Sequence, residues 1–329
     1  MYAKIPVLKF TSLVQAIKEV KVSPAKGSKD GVYNLTFKKS RKTLLGVAKK
    51  DWGSNYNLVE IGRAIEKYPI SQKKGSIYFN GVTLPLKYLC LIHYYSKFFN
   101  YGGNIDGKIA TIDNLRFGVL DAINGVRQIV AVFVRKDYDQ FNFKGKVVMD
   151  IGGYIGETAL FFLDRGASKV ISYEPHPELF KLLKKNVALN GYKAITHNKA
   201  VSAKAGTLDL FVTEELHSST TCPNRGNNLG SFEVETISII SEIEKHEPDI
   251  IKMDCEGEEY AILEELVRRP QTAGKIKEGI ILEVHPYDKA HNMARIRVLL
   301  RELGFKNIKR SPIAPSGIIT SLVTAKRTA

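Results

Sequence analysis

Cysteine and tryptophan are scarce in this chain of 329 residues, which contains three cysteines and one tryptophan. The cysteines, Cys90, Cys222 and Cys255, lie far apart, and no C-x-x-C pair occurs. An odd number of separated cysteines indicates neither a disulfide framework nor a structural zinc site. We therefore expect a reducing, cytoplasmic location.

Long apolar runs are missing as well. The first ten residues, MYAKIPVLKF, have no apolar segment after the basic residue, so they do not predict a secretory signal. The most apolar stretch near the N-terminus, Leu84 to Phe99, carries two lysines and a histidine and is too short to span a bilayer. We expect no transmembrane segment.

Acidic residues are under-represented only in the first part of the chain. The formal net charge is +15, and residues 1–75 hold 16 Lys and Arg against 5 Asp and Glu, a net charge of +11. Residues 146–329 hold 25 Lys and Arg against 24 Asp and Glu and are therefore close to neutral. A basic region attracts polyanions such as nucleic acid, acidic lipid surfaces or phosphorylated substrates, although a solvated lysine-rich face is an equally open interpretation.

Breaks in the sequence pattern divide the chain into three parts. Residues 1–75 are a basic N-terminal region of unknown fold, residues 76–145 connect it to the rest, and residues 146–329 form the main domain. Within the first part, Pro, Gly, Ser and Lys predict a loop at Lys21 to Gly31, and helical apolar spacing predicts a helix at Tyr56 to Tyr68.

The main domain alternates apolar strands with amphipathic helices. The apolar run Ile129 to Val134 predicts a strand that leads into it. The alternation predicts an α/β domain with a doubly wound, mostly parallel sheet, and TLDLFV and FEVETISI add a pair of strands. The other predicted strands are 146–151, 169–174, 194–201, 248–254 and 278–285, and predicted helices begin near Gly156 and span Pro177 to Gly191.

A glycine-broken turn follows the first strand of this domain, in KVVMDIGGYIGETALFFLDRG. Gly152, Gly153 and Gly156 allow a sharp bend and a close approach of the backbone to a ligand, next to a helix N-terminus. The spacing is neither the G-x-G-x-x-G of dinucleotide enzymes nor the GK[ST] of a phosphate loop. Asp150 would repel a pyrophosphate but suits a ligand that carries an ammonium group.

Acids also end two further strands at the same edge of the predicted sheet. Glu174 follows about twenty residues after the glycine turn, where an acid can accept hydrogen bonds from both hydroxyls of a ribose. Asp254 and Glu256 follow a later strand, in KMDCEGEE. A ligand with an amino-acid head, a ribose and no pyrophosphate is S-adenosylmethionine, which is therefore the predicted cofactor.

The motifs VVMDIGGYIGETALFF, PDIIKMDCEGEEYAIL and ILEVHP, with the preceding VFVRKDYDQF, resemble the FkbM-type methyltransferases over about residues 129 to 325. The resemblance implies that residues 146–329 are an S-adenosylmethionine-dependent methyltransferase domain. It also implies a Rossmann-like sheet of seven strands with an antiparallel last strand, and methyl transfer that is usually to a hydroxyl. No acid follows HNKAV to hold the adenine, so the backbone near Ala200 and Val201 is the predicted adenine contact.

Methyl transfer to a hydroxyl needs a group that accepts a proton. Because residues two apart in a strand point the same way, Asp254, Glu256, Glu283 and His285 are expected to converge, and Asp254, Glu256 and His285 are the candidate catalytic residues. His285 has the alternative of capping a loop, and Glu258 and Glu259 are interpreted as acids at a helix N-terminus. Two carboxylates and a histidine could also bind a divalent cation, but no metal is predicted.

Three functions stay open at this point. The leading hypothesis is O-methylation of a glycan, a lipid head group or a small metabolite, because no N/D-P-P-Y/F segment for amine methylation follows the fourth strand. The second is methylation of tRNA or rRNA that is bound by residues 1–75, and the third is a non-catalytic scaffold.

The polar loop His217 to Asn228 suits a sugar acceptor but equally fits an ordinary hairpin tip.

Overall fold

The structure is a computed structural model that describes residues 20–25, 32–48, 55–120, 125–213, 228–312 and 321–327. It divides into two compact units. The first unit takes in the described residues up to Asn114 together with 125–130, and the second takes in Leu115–Leu120 and the described residues from Ala131 onward. None of the described helices has both the length and the apolar character needed to cross a bilayer.

The first unit combines short antiparallel sheets with helices. Strands β1, β2 and β3 pair in chain order, as do β4, β5 and β6, and β7 pairs with β8. The elements are β1 Val20–Pro24, β2 Val32–Phe37, β3 Lys42–Ala48, α1 Asn55–Lys67, β4 Ile70–Lys73, β5 Ser76–Phe79, β6 Val82–Pro85, a 3₁₀ turn Leu86–Leu91, α2 Ile92–Asn100, β7 Asn104–Asp106, β8 Ile109–Ile112 and α3 Gly125–Ile129.

Two sequence predictions near the N-terminus have different outcomes. The helix predicted at Tyr56 to Tyr68 is confirmed by α1. The loop predicted at Lys21 to Gly31 is wrong for its first residues, because β1 continues to Pro24. Its backbone pairs with β2, where Val22 lies opposite Leu35. Local composition cannot reveal a pairing with a strand that lies further along the chain.

The second unit is built on one large sheet flanked by helices. Its elements are β9 Leu115–Gly118, β10 Val147–Ile151, α4 Glu157–Asp164, β11 Lys169–Tyr173, α5 Pro177–Leu189, β12 Ile195–His197, β13 Ala200–Ser202, β14 Gly206–Thr213, β15 Asn228–Ser238, α6 Ile239–His246, β16 Ile250–Met253, α7 Glu259–Arg268, α8 Pro270–Ala273, β17 Gly279–Val284, α9 Met293–Glu302, β18 Asn307–Pro312 and β19 Ser321–Lys326.

The large sheet has seven strands in the order β12-β11-β10-β16-β17-β19-β18. The pairs from β12 to β17 are parallel, and β19 is antiparallel to both of its neighbours. This arrangement confirms the predicted doubly wound, mostly parallel sheet of seven strands. The chain order reverses beside β10, so the ends of β10 and β16 form the point where such sheets bind ligands.

Buried apolar residues explain why the central strands form. Every residue of β16 is buried, and β10 is buried from Val148 to Ile151. Strands covered by helices on both faces read as continuous apolar runs, and each fully buried Ile or Val contributes about 1.5–3 kcal/mol. The runs were therefore recognisable in the sequence.

Two predicted strands differ from the structure. The apolar run Ile129 to Val134 was predicted as a strand, but Val130–Val134 forms a short π-helical segment after α3. A short buried apolar run does not distinguish helix from strand by its periodicity. The strand predicted over 194–201 is two strands: β12 belongs to the large sheet, and β13 pairs with β15 in a separate sheet. The added strand pair is confirmed as β14 and β15.

Candidate active site

The glycine turn after β10 packs against the end of β16. Gly152 has a φ of +78°, and a Cβ atom there would lie 1.8 Å from the carbonyl oxygen of Asp254. A Cβ on Gly153 would lie 2.2 Å from Ser172 Oγ. Only glycine fits both positions, because the neighbouring strands already occupy the space that a side chain would need. The turn thereby fixes the distance between the ends of three strands.

Asp150, at the end of β10, is completely buried and satisfied within the protein. Its Oδ2 accepts hydrogen bonds from Thr158 Oγ1 at 2.9 Å and from Ser172 Oγ at 2.8 Å. Its Oδ1 lies 3.2 Å from Lys252 Nζ. The carboxylate therefore orders the turn through contacts with both neighbouring strands, and its predicted contact with the cofactor ammonium stays a prediction.

Lys252 is a residue whose role the sequence analysis missed. It lies in β16, is 1% exposed, and donates to the carbonyl oxygens of Ile151, at 3.3 Å, and Gly152. Burial alone would lower the pKa of Lys252, but Asp150, Asp254 and the nearby Glu157 outweigh it and raise the pKa above its ordinary value. A lysine in the middle of the apolar strand IIKM was the available signal, because lysine is almost never buried without a partner.

Glu174, after β11, is held by backbone donors. Its Oε2 accepts from Tyr154 N at 2.9 Å, and its Oε1 accepts from His176 N at 2.8 Å. Burial raises the pKa of Glu174 to about 8, although both amide donors oppose the shift. Each carboxylate oxygen keeps a second lone pair, so the geometry is compatible with the predicted ribose contact.

Glu157, the first residue of α4, is a second buried acid beside the turn. Its Oε2 has no hydrogen-bond partner among the described residues. Burial raises the pKa of Glu157 to about 8, while Lys252 acts in the opposite direction. A buried carboxyl with one oxygen unpaired fits a site that receives a cation, and the methionyl ammonium of the predicted cofactor is such a group.

Four predicted residues converge at the ends of β16 and β17. The Nε2 atom of His285 lies 3.7 Å from Asp254 Oδ1, 3.6 Å from Glu256 Oε2 and 3.6 Å from Glu283 Oε1. The side chains of the three acids are 24%, 18% and 19% exposed, whereas that of His285 is 2% exposed. These four residues are called the acid cluster below. It is open to solvent on the carboxylate side.

A further buried acid fixes the orientation of the imidazole. Glu259 Oε1 lies 2.9 Å from His285 Nδ1. The same carboxylate accepts from the backbone N–H groups of Cys255 and Gly257, each at 3.0 Å. Sequence analysis assigned Glu259 only to the helix N-terminus. It does begin α7, and it also directs His285 Nε2 at the acid cluster.

Burial and mutual repulsion set the protonation of the cluster. Burial, with the nearby carboxylate of Glu283, raises the pKa of Asp254 to about 7. Burial alone would lower the pKa of His285, but Glu256 and Glu259 hold it well above its ordinary value. Asp254, rather than the imidazole, is therefore the group able to accept a proton at neutral pH.

The segment before β10 also reaches this site. Tyr138 Oη donates to Asp254 Oδ2 at 3.4 Å, and Lys252 Nζ lies 5.8 Å from the centre of the Tyr138 ring. Glu283 is close enough to contribute to a raised pKa of Asp137, although burial is the main cause. The sequence motif RKDYDQF thus supplies one wall of the acid cluster.

Two remaining predictions concern the adenine and the acceptor. Val201 lies in β13 with its side chain buried in the main core, and its backbone pairs with Ile237 of β15. Its contact with adenine stays a prediction. The polar loop His217 to Asn228 falls outside the described residues except for its last residue.

Comparison with known proteins finds a family model that matches part of the chain. Residues 150–306 match the family model described as the methyltransferase FkbM domain. The match confirms the predicted resemblance, and because methyltransferases of this kind use S-adenosylmethionine it also confirms the predicted cofactor. No curated protein sequence matches the chain.

Solved structures share the fold only distantly. Magnesium protoporphyrin IX methyltransferase from Synechocystis PCC 6803, solved with bound SAM, has 16% identity and a TM-score of 0.38, over 61% of this chain and 79% of that one. The tRNA (uracil-54, C5)-methyltransferase from Pyrococcus abyssi has 14% identity and a TM-score of 0.39, over 66% of this chain and 42% of that one. TYW2 from M. jannaschii has 14% identity and a TM-score of 0.39, over 68% of this chain and 88% of that one. Similarities of this size carry no argument about the acceptor.

Proposed function

We propose, from the membership of residues 150–306 in the FkbM methyltransferase family, that this chain methylates a hydroxyl group of a glycan, a lipid head group or a small metabolite. The hydroxyl oxygen attacks the methyl carbon of S-adenosylmethionine, the carbon–sulfur bond breaks, and the electron pair stays on sulfur. The hydroxyl proton passes to a carboxylate of the acid cluster.

The observation that carries this proposal is the position of the acid cluster. Three partly exposed carboxylates stand at the ends of β16 and β17, and the backbone of Asp254 contacts the glycine turn at Gly152. A sulfonium methyl group is already activated, so the protein has mainly to align the acceptor and remove a proton. Asp254 is the candidate base because it is the acid next to the turn.

The charge of the cluster also bears on the acceptor. Asp254, Glu256 and Glu283 repel phosphate groups, so a neutral hydroxylated molecule is favoured at the point of reaction. The alternative acceptor is RNA, held through the basic residues 1–75. Phosphate contacts would make its binding fall steeply with ionic strength, whereas a neutral acceptor would respond little.

The thiols are consistent with the expected cytoplasmic location. Cys90 and Cys255 form no disulfide among the described residues, and Cys222 lies outside them. Free cysteines persist most readily in a reducing compartment. We propose that compartment for this chain.

Methyl-labelled cofactor tests the proposal. The full chain is incubated with labelled S-adenosylmethionine and, in parallel, with total RNA or with a glycan and lipid extract from the same cells. Label in the extract, in a product whose methyl group is oxygen-linked by mass spectrometry, is the expected result. The proposal of a small hydroxylated acceptor would be overturned if the label appeared in RNA and the amount of labelled RNA fell steeply as the salt concentration was raised.

A further inference from the structure

The acid cluster offers a donor set that suits a divalent cation. Asp254 and Glu256 provide oxygen atoms and His285 provides a nitrogen atom, all within 4.8 Å of one another. Glu283 adds a fourth group, 3.6 Å from His285 Nε2. Carboxylate oxygens are the ligands that Mg²⁺ and Mn²⁺ prefer, and an imidazole nitrogen is a ligand of transition metals.

The imidazole is oriented for this purpose. His285 Nδ1 is held by Glu259, and Glu259 is held by two backbone N–H groups. A histidine that ligates a metal through one nitrogen commonly has its other nitrogen fixed by a carboxylate in this way. The buried Nε2 is thus aimed from the protein interior at the open side of the cluster.

The distances within the cluster are too long for strong direct hydrogen bonds. Nε2 lies 3.6–3.7 Å from the oxygen atoms of all three acids. N–H···O hydrogen bonds normally measure about 2.7–3.2 Å, whereas atoms that share a cation at about 2.2 Å lie roughly 3–4 Å apart. The spacing therefore matches ligands arranged around a common centre.

Glu256 has a backbone conformation that places its side chain in the cluster. Its φ is +55°, in the left-handed region that residues other than glycine seldom adopt. The residue that follows is Gly257, with a φ of +130°, and its N–H is bound by Glu259. Such a conformation persists where the surrounding contacts determine it.

We propose that Asp254, Glu256, Glu283 and His285 bind one divalent cation of the Mg²⁺ and Mn²⁺ class, which replaces the proton on His285 Nε2 when it binds. The three carboxylates supply the hard oxygen ligands that this class prefers, and their partial exposure leaves room for further oxygen ligands from solvent or acceptor. If the proposed O-methylation holds, one of these positions belongs to the acceptor hydroxyl, whose proton is then more easily lost.

A second histidine-containing group is the competing location. Among the described residues, His197, Glu242 and His246 also bring three donor atoms within 4.8 Å. Lys169 Nζ lies 3.1 Å from His246 Nδ1, and Tyr173 Oη donates to Glu242. An ammonium group beside the imidazole opposes a dication, so this group is the less favourable site.

Binding of Mn²⁺ to the full chain tests the proposal directly. The protein is stripped with a chelator, dialysed and titrated with Mn²⁺, and the free aquo ion is followed by electron paramagnetic resonance. We expect one Mn²⁺ per chain, displaced by excess Mg²⁺. Glu256→Gln should weaken binding by at least tenfold, and Glu259→Gln by about 10–100-fold through misorientation of His285.

Controls separate this site from folding and from the other group. Glu302→Gln, on an exposed position of α9, is the matched control and should leave the Mn²⁺ affinity unchanged. Retained S-adenosylhomocysteine affinity shows that a variant is folded. The proposal is overturned if the wild type binds no Mn²⁺ at about 1 mM, the weak end of divalent-cation sites.

It is overturned equally if Glu256→Gln binds Mn²⁺ with the affinity of the wild type, or if only Glu242→Gln loses Mn²⁺ binding. Because Mn²⁺ is measured without an acceptor, a wrong acceptor class would leave this result intact.

Discussion

The two halves of the site hold their carboxylates in opposite ways. At the ends of β10 and β11, Asp150 and Glu174 are satisfied by hydroxyl groups, backbone N–H groups and Lys252. At the ends of β16 and β17, three acids face a single nitrogen atom of His285 at distances beyond normal hydrogen bonds. The first half holds its carboxylates mainly through short hydrogen bonds, with Glu157 Oε2 as an exception among the described residues, and the second half gathers its carboxylates around one nitrogen atom at longer distances.

The difference suggests that the first half positions the cofactor and the second half takes part in the reaction. Polar groups held by short hydrogen bonds keep one geometry, which suits a half that must present a bound cofactor in a fixed orientation. Burial and the neighbouring Glu283 raise the pKa of Asp254 to about 7, which suits a half that must remove a proton. Substitutions in the first half should therefore reduce stability or ligand affinity, and substitutions in the second should reduce turnover.

Asp254→Asn should give the largest effect. The amide cannot accept the hydroxyl proton, so turnover should fall by roughly 10⁴-fold, while the affinity for S-adenosylmethionine changes within a few-fold. Single-turnover kinetics with labelled cofactor measure the first quantity, and isothermal titration with S-adenosylhomocysteine measures the second. Undiminished turnover would remove Asp254 from the mechanism, and a parallel loss of cofactor affinity would end the division between the two halves.

Lys252→Met should mainly reduce stability. It leaves Asp150 buried without its cation, and breaking a buried ion pair on one side costs about 3–5 kcal/mol in the free energy of unfolding. Urea denaturation measures the loss. Lys275→Met is the matched control, because the ion pair of Lys275 with Glu247 is solvent-exposed and should contribute about 0–1 kcal/mol. Equal losses in both variants would show that Lys252 is not the residue that stabilises the turn.

The sequence predicted the parts that depend on local pattern. The apolar runs of β10 and β16 and the glycine positions 152, 153 and 156 identified the central strands and the turn between them. Residues two apart at the ends of β16 and β17 correctly predicted the convergence around His285. Glu283 lies in β17, but Asp254 and Glu256 follow the end of β16, where the left-handed backbone of Glu256 rather than strand periodicity brings its side chain to the cluster.

Contacts that depend on tertiary packing were not predictable. Glu259 looked like an ordinary acid at a helix N-terminus, and only the position of β17 brings it to His285. Lys252 looked like an interruption of an apolar strand, and its partner Asp150 lies about a hundred residues earlier in the chain. The run Ile129 to Val134 had the composition of a strand, yet all of it is helical.

Glu157→Gln should change the pH dependence of stability. Burial raises the pKa of Glu157 to about 8 in the folded chain, from 4.5 for the exposed group. The folded state therefore favours the protonated form, and the stability of the wild type falls as pH rises from about 4.5 through 8. Glutamine does not titrate, so the variant should become more stable relative to wild type by about 4 kcal/mol between pH 5 and pH 9. Urea denaturation at both pH values measures this difference, and an equal decline in both proteins would contradict it.

Glu174 should give the smallest effect, and only in ligand affinity. Its pKa of about 8 means that the carboxylate, the form that accepts hydrogen bonds from ribose hydroxyls, becomes dominant as pH rises through that value. The affinity for 5′-methylthioadenosine, which keeps the ribose but lacks the titrating amino-acid head, should therefore increase about tenfold between pH 6.5 and pH 9, the scale of a hydrogen bond to a charged group. Glu174→Gln should bind about tenfold more weakly at pH 9 and show no such increase, as measured by isothermal titration. If the increase persists in the variant, another group titrates at the ribose, and the first half of the site is less fully paired than its hydrogen bonds indicate.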